Sequence, residues 1–201
     1  MDGNTRNRII SEGAEAKVYS ANIFGRECIV KVRYSKSYRN SILDIGLRKS
    51  RTKRESKIMA KAASLGIKIP RIIASGEFSI YMEAIHGSMM KDSKYGKSFM
   101  SALGSELSKL HSAGISHGDF TPANVIICGS SFYIIDFGLS EITQSLDSMA
   151  IDLLLMKRSN PKHFSSFKRG YSLWKGAGEV LERLKKIEER GRYKTRTLST
   201  A

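Results

Sequence analysis

From Arg8 to Arg33 the chain alternates short apolar and polar runs, with Val18, Tyr19 and Ile23 in one run and Cys28 to Val32 in the next, punctuated by Gly13 and Gly25. A period of two broken by glycine predicts a small antiparallel meander. The pattern changes at about Ser41. Apolar residues then recur at Leu43, Leu47, Ile58, Ala62 and Leu65 until Gly66 and Pro70, which predicts one long helix or two consecutive ones. Two strand-like runs follow, Arg71 to Ala74 and Ser79 to Ile85, before a break at Gly87. Residues 96–113 return to a helical period, with Phe99, Leu103, Leu107 and Leu110 on one face and Gly114 just past the end. A loop from Ser116 to Asn124 leads into a predicted hairpin, Val125 to Cys128 and Phe132 to Ile135, turning at Gly129 to Ser131. Helical patterns resume over 147–158 and 164–190, and the polar tail 191–201 is expected to fray.

Composition narrows the class. With 201 residues, 41% hydrophobic, the chain is long enough to bury a core, as one globular unit or two small lobes around a cleft. No run of roughly eighteen apolar residues is present to span a bilayer, and Met1 to Arg8 is polar, so a cytoplasmic protein without membrane contact is expected. Cys28 and Cys128 lie in apolar runs without metal-site or disulfide spacing and are expected reduced and buried.

The net charge of +15 is concentrated in two places. Residues 31–71 hold thirteen Lys or Arg against two acids, Asp44 and Glu55, and the last twenty residues hold seven against three. These two segments account for the whole excess. Localised positive charge attracts a polyanion through counterion release, although a solvated helix face gives the same pattern. Two basic segments flanking neutral ones favour RNA.

The chemistry sits in His117-Gly118-Asp119-Phe120-Thr121-Pro122-Ala123-Asn124, followed by the predicted hairpin and Asp136-Phe137-Gly138. Phosphoryl transfer asks little covalent work of a protein; it needs metal ions on the phosphates and an acceptor held in line. Asp119 is placed to orient or deprotonate the acceptor. Asn124 and Asp136 offer oxygen donors for Mg2+, a hard cation. His117 is expected to brace this loop rather than act as a base. Asp152 has two readings: an acceptor for the loop's backbone N–H groups, or an ordinary acid on a helix face.

Upstream, Gly13, Ala14, Glu15, Ala16 and Val18 occupy the turn between the first two predicted strands, where a nucleotide-covering loop would lie. With one glycine it is a poor phosphate cradle on its own, and an ordinary hairpin turn fits too. Lys31 then stands between apolar neighbours in a strand and must either extend to solvent or pair. Glu55 on the following helix is the expected partner, aiming the ammonium at nucleotide phosphates. Met82, Glu83 and Ile85 form the expected adenine connector, read through the Glu83 carbonyl and the Ile85 amide.

Together these residues resemble the small atypical kinase of the KEOPS (EKC) complex, the RIO-related companion of the tRNA threonylcarbamoyladenosine transferase. The resemblance covers nearly the whole chain. It is carried by the Glu-Gly-Ala-Glu-Ala loop at 12–16, Arg33 through Ser37-Tyr38-Arg39, Leu43-Asp44, Arg51-Thr52-Lys53-Arg54-Glu55, Met82-Glu83, Leu110-His111, His117 to Asn124, Asp136-Phe137-Gly138 and Ala150 to Leu153. It implies a minimal α+β, two-lobed protein-kinase-like fold. The β-rich N-lobe would span 1–85, the mostly helical C-lobe 86–190 and a basic tail 191–201. The resemblance further implies ATP and Mg2+ as cofactors, and autophosphorylation or ATP hydrolysis in support of tRNA modification. The implied partners are the transferase, other KEOPS subunits and tRNA, the last through segments 31–71 and 183–196.

Only thirteen residues separate Gly138 from Asp152, and Thr121 stands where Ser/Thr kinases carry a lysine. Peptide recognition of the ordinary protein-kinase type is therefore not expected. An aminoglycoside-type phosphotransferase would need a larger helical domain after Gly138. A RIO-like ribosome-assembly kinase is nearer but usually carries an extra N-terminal domain. A non-catalytic RNA scaffold would have no need of Lys31, Glu55, Asp119, Asn124 and Asp136 together.

Overall fold

The computed structural model describes residues 8–23 and 25–198, with side chains described as far as residue 190. These form two compact units. The first runs through Gly87 and adds Cys128–Gly138; the second comprises Ser88–Ile127 and the residues from Leu139 onward. The strand leading to Asp136 thus belongs with the first unit, not with the helical half to which its position in sequence allots it.

The first unit is built on an antiparallel sheet of β1 (Arg8–Glu12), β2 (Lys17–Ile23), β3 (Arg26–Val32), β4 (Ile72–Ser75) and β5 (Ser79–Glu83), in the order β1-β2-β3-β5-β4. The meander predicted from alternation is its first half. In the register, Lys31 of β3 lies between Val18 of β2 and Ile80 of β5. Helix α1 (Ser41–Ser64) is one continuous helix, capped by the Asn40 side chain, which accepts from the Ile42 and Leu43 amides. Its apolar face differs from the predicted one. Leu43 and Leu47 are exposed, and only Ile58, Met59 and Ala62 in the last turns join the core. In the first half the buried residues are Asp44, Thr52 and Glu55. Ion pairs, not apolar contacts, occupy the inner face there. After Pro70 and β5, the strand now labelled β9 (Ser131–Ile134) completes the unit; the Ile134 amide donates to the Lys68 carbonyl at 2.9 Å.

The second unit contains α2 (Lys97–Ser112), α3 (Leu146–Ser159), α4 (Phe164–Tyr171) and α5 (Ala177–Leu198). Two small ladders accompany them: β6 (Ser88–Met89) with β8 (Val125–Cys128), and β7 (Ile115–Ser116) with β10 (Glu141–Ile142). Met100, Leu103, Leu107 and Leu110 form the buried stripe of α2, while Phe99, expected in that stripe, is half-buried beside the Tyr95 ring at 5.5 Å. The helix predicted over 164–190 is broken. Leu173 and Trp174 bond back to Gly170 and Tyr171, and a Cβ at Gly176 would meet the Trp174 indole at 2.5 Å, so a tight turn separates α4 from α5. At its far end α5 continues to Leu198, into the segment expected to fray. Residues 199–201 and the side chains of 191–198, which hold the rest of the basic tail, lie outside the described residues.

Helices α2 and α4 cross at glycines. A Cβ on Gly170 would overlap the Ser101 carbonyl, and one on Gly104 would overlap that of Phe167. Backbone cannot yield as a side chain can, so Gly170→Ala should destabilise the protein by about 3 kcal/mol or more, visible as a fall of roughly 10 °C in thermal melting. An unshifted Tm would show that this crossing is not tight.

Cys28 is fully buried and burial pushes its thiol up from the ordinary range, whereas Cys128, expected buried, is half-buried. Among the described residues no helix is long and apolar enough to cross a membrane.

Candidate active site

In the first unit, Lys31 on the central strand β3 and Arg33 just past its end stand two residues apart and therefore share the face toward α1. The Lys31 ammonium lies 2.7 Å from Glu55 Oε1 and 2.7 Å from Asp136 Oδ1, and Arg33 Nη2 lies 2.6 Å from the other Glu55 oxygen. Glu55 is buried at 2% exposure, and a buried carboxylate of this kind is tolerable only because each oxygen meets a cation. Arg33 is the partner that sequence reasoning missed; the same-face rule for residues i and i+2 was the available signal. Asp136 has φ of +61°, the left-handed region that Asp tolerates better than most residues, and it is the only non-glycine residue there among those described. That turn folds its carboxylate back to accept the Gly138 amide at 3.1 Å. A Cβ at Gly138 would lie 3.0 Å from Asp136 Oδ1 and 3.1 Å from Lys31 Nζ, so the glycine leaves room for the charged cluster.

The loop at 13–16 closes by a hydrogen bond from the Gly13 amide to the Ala16 carbonyl at 2.9 Å. Ala16 is buried, Val18 half-buried and Ala14 exposed. Glu15, expected in a loop over nucleotide, turns both oxygens to Arg39 and Arg51. At the connector, Glu83 ends β5, its amide donating to the Arg71 carbonyl at 2.9 Å, and Met82 pairs with Ile29 of β3. Ile85 follows, half-buried.

In the second unit the loop 117–124 is fixed from several sides. Gly118 has φ of +81°, and a Cβ there would lie 2.5 Å from the Leu139 carbonyl, so this position needs glycine on both counts. His117 is fully buried; its Nδ1 accepts from the Asp119 amide at 3.3 Å and its ring packs edge-on against Phe120. Ser140 Oγ donates to the His117 carbonyl at 2.8 Å. Asp152 accepts from the His117 amide at 2.7 Å and the Gly118 amide at 2.8 Å, which decides between its two readings in favour of the loop acceptor. It also meets His111 Nε2 at 3.1 Å, and His111 Nδ1 meets the Tyr171 hydroxyl at 2.8 Å. His111 and Tyr171 were not legible as supports for the loop, because α2 and α4 lie far apart in sequence.

Asn124 donates through Nδ2 to the Asp119 backbone carbonyl at 2.8 Å and to Asp119 Oδ2 at 2.9 Å. With its amino group facing Asp119, its amide oxygen points the other way. Asn124 in the second unit thus offers a neutral oxygen donor, and Asp136 in the first unit an anionic one, each of the kind a hard cation such as Mg2+ takes.

The basic segment 31–71 divides in two. Arg39 and Arg51 meet Glu15, Arg48 meets Asp44 at 2.6 Å, and Lys49 meets Glu77 at 2.6 Å, in addition to Lys31 and Arg33. About half of the segment's cations are thus paired with acids of the same unit. Lys53, Arg54 and Lys57 stand exposed on α1.

The RIO domain family matches residues 17–164. The KEOPS complex subunit Bud32 of Pyrococcus abyssi is 34% identical over 218 residues, covering 96% of this chain and 99% of the relative. A probable bifunctional tRNA threonylcarbamoyladenosine biosynthesis protein of Methanothermobacter thermautotrophicus is also 34% identical, over 92% of this chain, but the chain spans only 36% of that relative's length. Among solved structures, the Rio2 kinase-ADP/Mg2+-phosphoaspartate complex from Chaetomium thermophilum aligns over 93% of this chain and 71% of its own, with a TM-score of 0.68 at 17% identity. At that identity the likeness speaks for the fold alone, which is the α+β kinase-like fold.

Proposed function

The chain belongs to the RIO-domain family of kinases, within its Bud32 branch, and on that premise we propose that it is an ATP- and Mg2+-dependent atypical serine/threonine kinase or ATPase. It acts in the cytoplasm as a subunit of a KEOPS-type assembly in threonylcarbamoyladenosine modification of tRNA. The observation that carries the catalytic part is Lys31, buried to 11% exposure and held 2.7 Å from both Glu55 and Asp136. A lysine fixed by two carboxylates is an aimed charge, of the kind that phosphoryl transfer requires at the phosphates.

In this reading Glu55 and Arg33 orient Lys31, whose ammonium binds the nucleotide phosphates. Asn124 and Asp136 would hold Mg2+, which when bound would neutralise the charge developing on the phosphates. Asp119, oriented by the Asn124 amide, takes the proton from the acceptor hydroxyl or water. The connector of Met82, Glu83 and Ile85 receives the adenine edge, and residues 13–18 cover the phosphates. The partnership with a transferase is supported by the Methanothermobacter relative, where the counterpart of this chain is one part of a longer protein named for tRNA threonylcarbamoyladenosine biosynthesis.

ATP hydrolysis measured alone, with tRNA and with a transferase partner tests the reading; no turnover in any of the three would overturn it. tRNA contact is assigned to Lys53, Arg54 and Lys57 on α1 and to the segment 183–196. Replacing those three α1 residues with Gln should weaken tRNA binding about tenfold at moderate salt and flatten the log-affinity against log-salt slope by roughly two. Removing 190–201 should weaken it further. A salt-independent affinity would exclude the electrostatic contact.

A further inference from the structure

We propose that Glu15, Arg39 and Arg51 form a latch that locks the loop 13–16 onto helix α1, so that the position of the nucleotide-covering loop and the aim of Lys31 are set by one helix. The inference rests on the reading of this site as nucleotide-binding and adds positioning residues to it.

Glu15 Oε1 lies 3.2 Å from Arg39 Nη2, and its Oε2 accepts directly from Arg51 Nη1. The hydrogen bond from Arg51 holds the Glu15 carboxyl below the usual carboxylate range, against the opposing effect of partial burial and with further help from Arg39. The loop backbone is tied as well, the Tyr34 hydroxyl donating to the Gly13 carbonyl at 2.9 Å. Lys36 in turn holds that hydroxyl at 3.0 Å. Arg39 reaches past Glu15 to Asp44 at 3.7 Å, and Asp44, buried at 1% exposure, is paired with Arg48 at 2.6 Å.

The spacing along α1 gives these contacts their meaning. Asp44, Arg48, Arg51 and Glu55 are four, three and four residues apart, so they form one stripe of the helix. Along the stripe, Arg51 holds the loop directly and Asp44 holds it by way of Arg39. One turn on from Arg51, Glu55 holds Lys31. A covering loop with a single glycine does not wrap phosphates as a flexible glycine-rich loop does; it gains by being held in place beforehand, since ordering is then not required on binding. A helix displaced by a turn or tilted would move the loop and the lysine together.

The test compares the full chain with Glu15→Gln, Arg51→Gln and the charge-exchanged double variant Glu15→Arg/Arg51→Glu. Amide hydrogen exchange over 11–17 is measured without nucleotide, and Mg-ATP affinity is measured by calorimetry alongside KM and kcat. Each single variant should speed exchange in this segment about tenfold and weaken Mg-ATP binding about tenfold, with KM rising by more than kcat falls. The exchanged pair should recover part of both, since it restores the contact with residue 51 while Arg39 then faces an arginine. Unchanged exchange in Glu15→Gln, or a double variant no better than the worse single one, would overturn the latch. If even the unaltered protein fails to bind Mg-ATP, the nucleotide reading falls, while the exchange data still decide whether the loop is latched.

Discussion

Asp136→Asn should lower Mg-ATP turnover about a thousandfold while leaving thermal melting within a few degrees of the unaltered protein. The substitution removes one charge and little else. Asn accepts the left-handed conformation that Asp136 adopts at φ of +61°, as Ala would not without added strain of about 1–2 kcal/mol. The side chain is half exposed, so the fold does not depend on its desolvation, and Lys31 keeps its second carboxylate in Glu55. What is lost is the anionic member of the proposed metal-binding pair. A metal ion stabilises developing phosphate charge by several kcal/mol, and each 1.4 kcal/mol is about a factor of ten in rate. Turnover within threefold of the unaltered protein, at saturating Mg2+, would remove Asp136 from the mechanism and with it the proposed metal site.

The chemistry was more legible than the packing. Lys31 announces itself by standing between apolar neighbours in a strand, and Glu55 by being one of only two acids in a basic run. The structure brings them together at 2.7 Å. Local order along the chain was enough there, because a strand followed by a helix across its face leaves few partners within reach. It was not enough for Glu15 and Arg51, thirty-six positions apart, whose meeting depends on how the 34–39 segment lays α1 against the β1–β2 turn. Nor did apolar period identify the inner face of α1. Leu43 and Leu47 carry the hydrophobic signal, yet paired charges occupy that face, and no hydrophobicity pattern encodes an ion pair. The break between α4 and α5 was hidden for a different reason. Trp174 and Gly176 form a turn by local backbone bonding within a stretch whose flanks both have helical periodicity. The basic run itself had a single apparent meaning by composition; the structure gives it two, with arginines that face acids inside the unit and Lys53, Arg54 and Lys57 that face water.

Asp152→Ala is expected to cost about 4 kcal/mol of stability, roughly 10 °C or more in Tm, and to reduce turnover by more than tenfold. Asp152 is fully buried and receives three donors, the His117 amide, the Gly118 amide and His111 Nε2. A carboxylate only accepts, so the His111 proton sits on Nε2 and, in the neutral ring, Nδ1 accepts from the Tyr171 hydroxyl. Burial, with the Asp152 charge adding to it, pushes the Tyr171 phenol well above its ordinary range, so it remains a donor at every working pH. Alanine at 152 leaves the three donors buried without an acceptor, at about 1–3 kcal/mol each. Two of them are backbone groups in the loop that presents Asp119, which is why activity should fall along with stability. Tyr171→Phe separates the two effects. It removes one hydroxyl at the far end of the relay, should cost about 1 kcal/mol, and leaves both loop amides satisfied by Asp152. The expected order is therefore a large loss of both Tm and turnover for Asp152→Ala and a small loss of Tm with turnover nearly kept for Tyr171→Phe. Equal effects of the two substitutions on turnover would mean that the loop is positioned by the helices as a whole, and that the two amide bonds to Asp152 add nothing specific to the placement of Asp119.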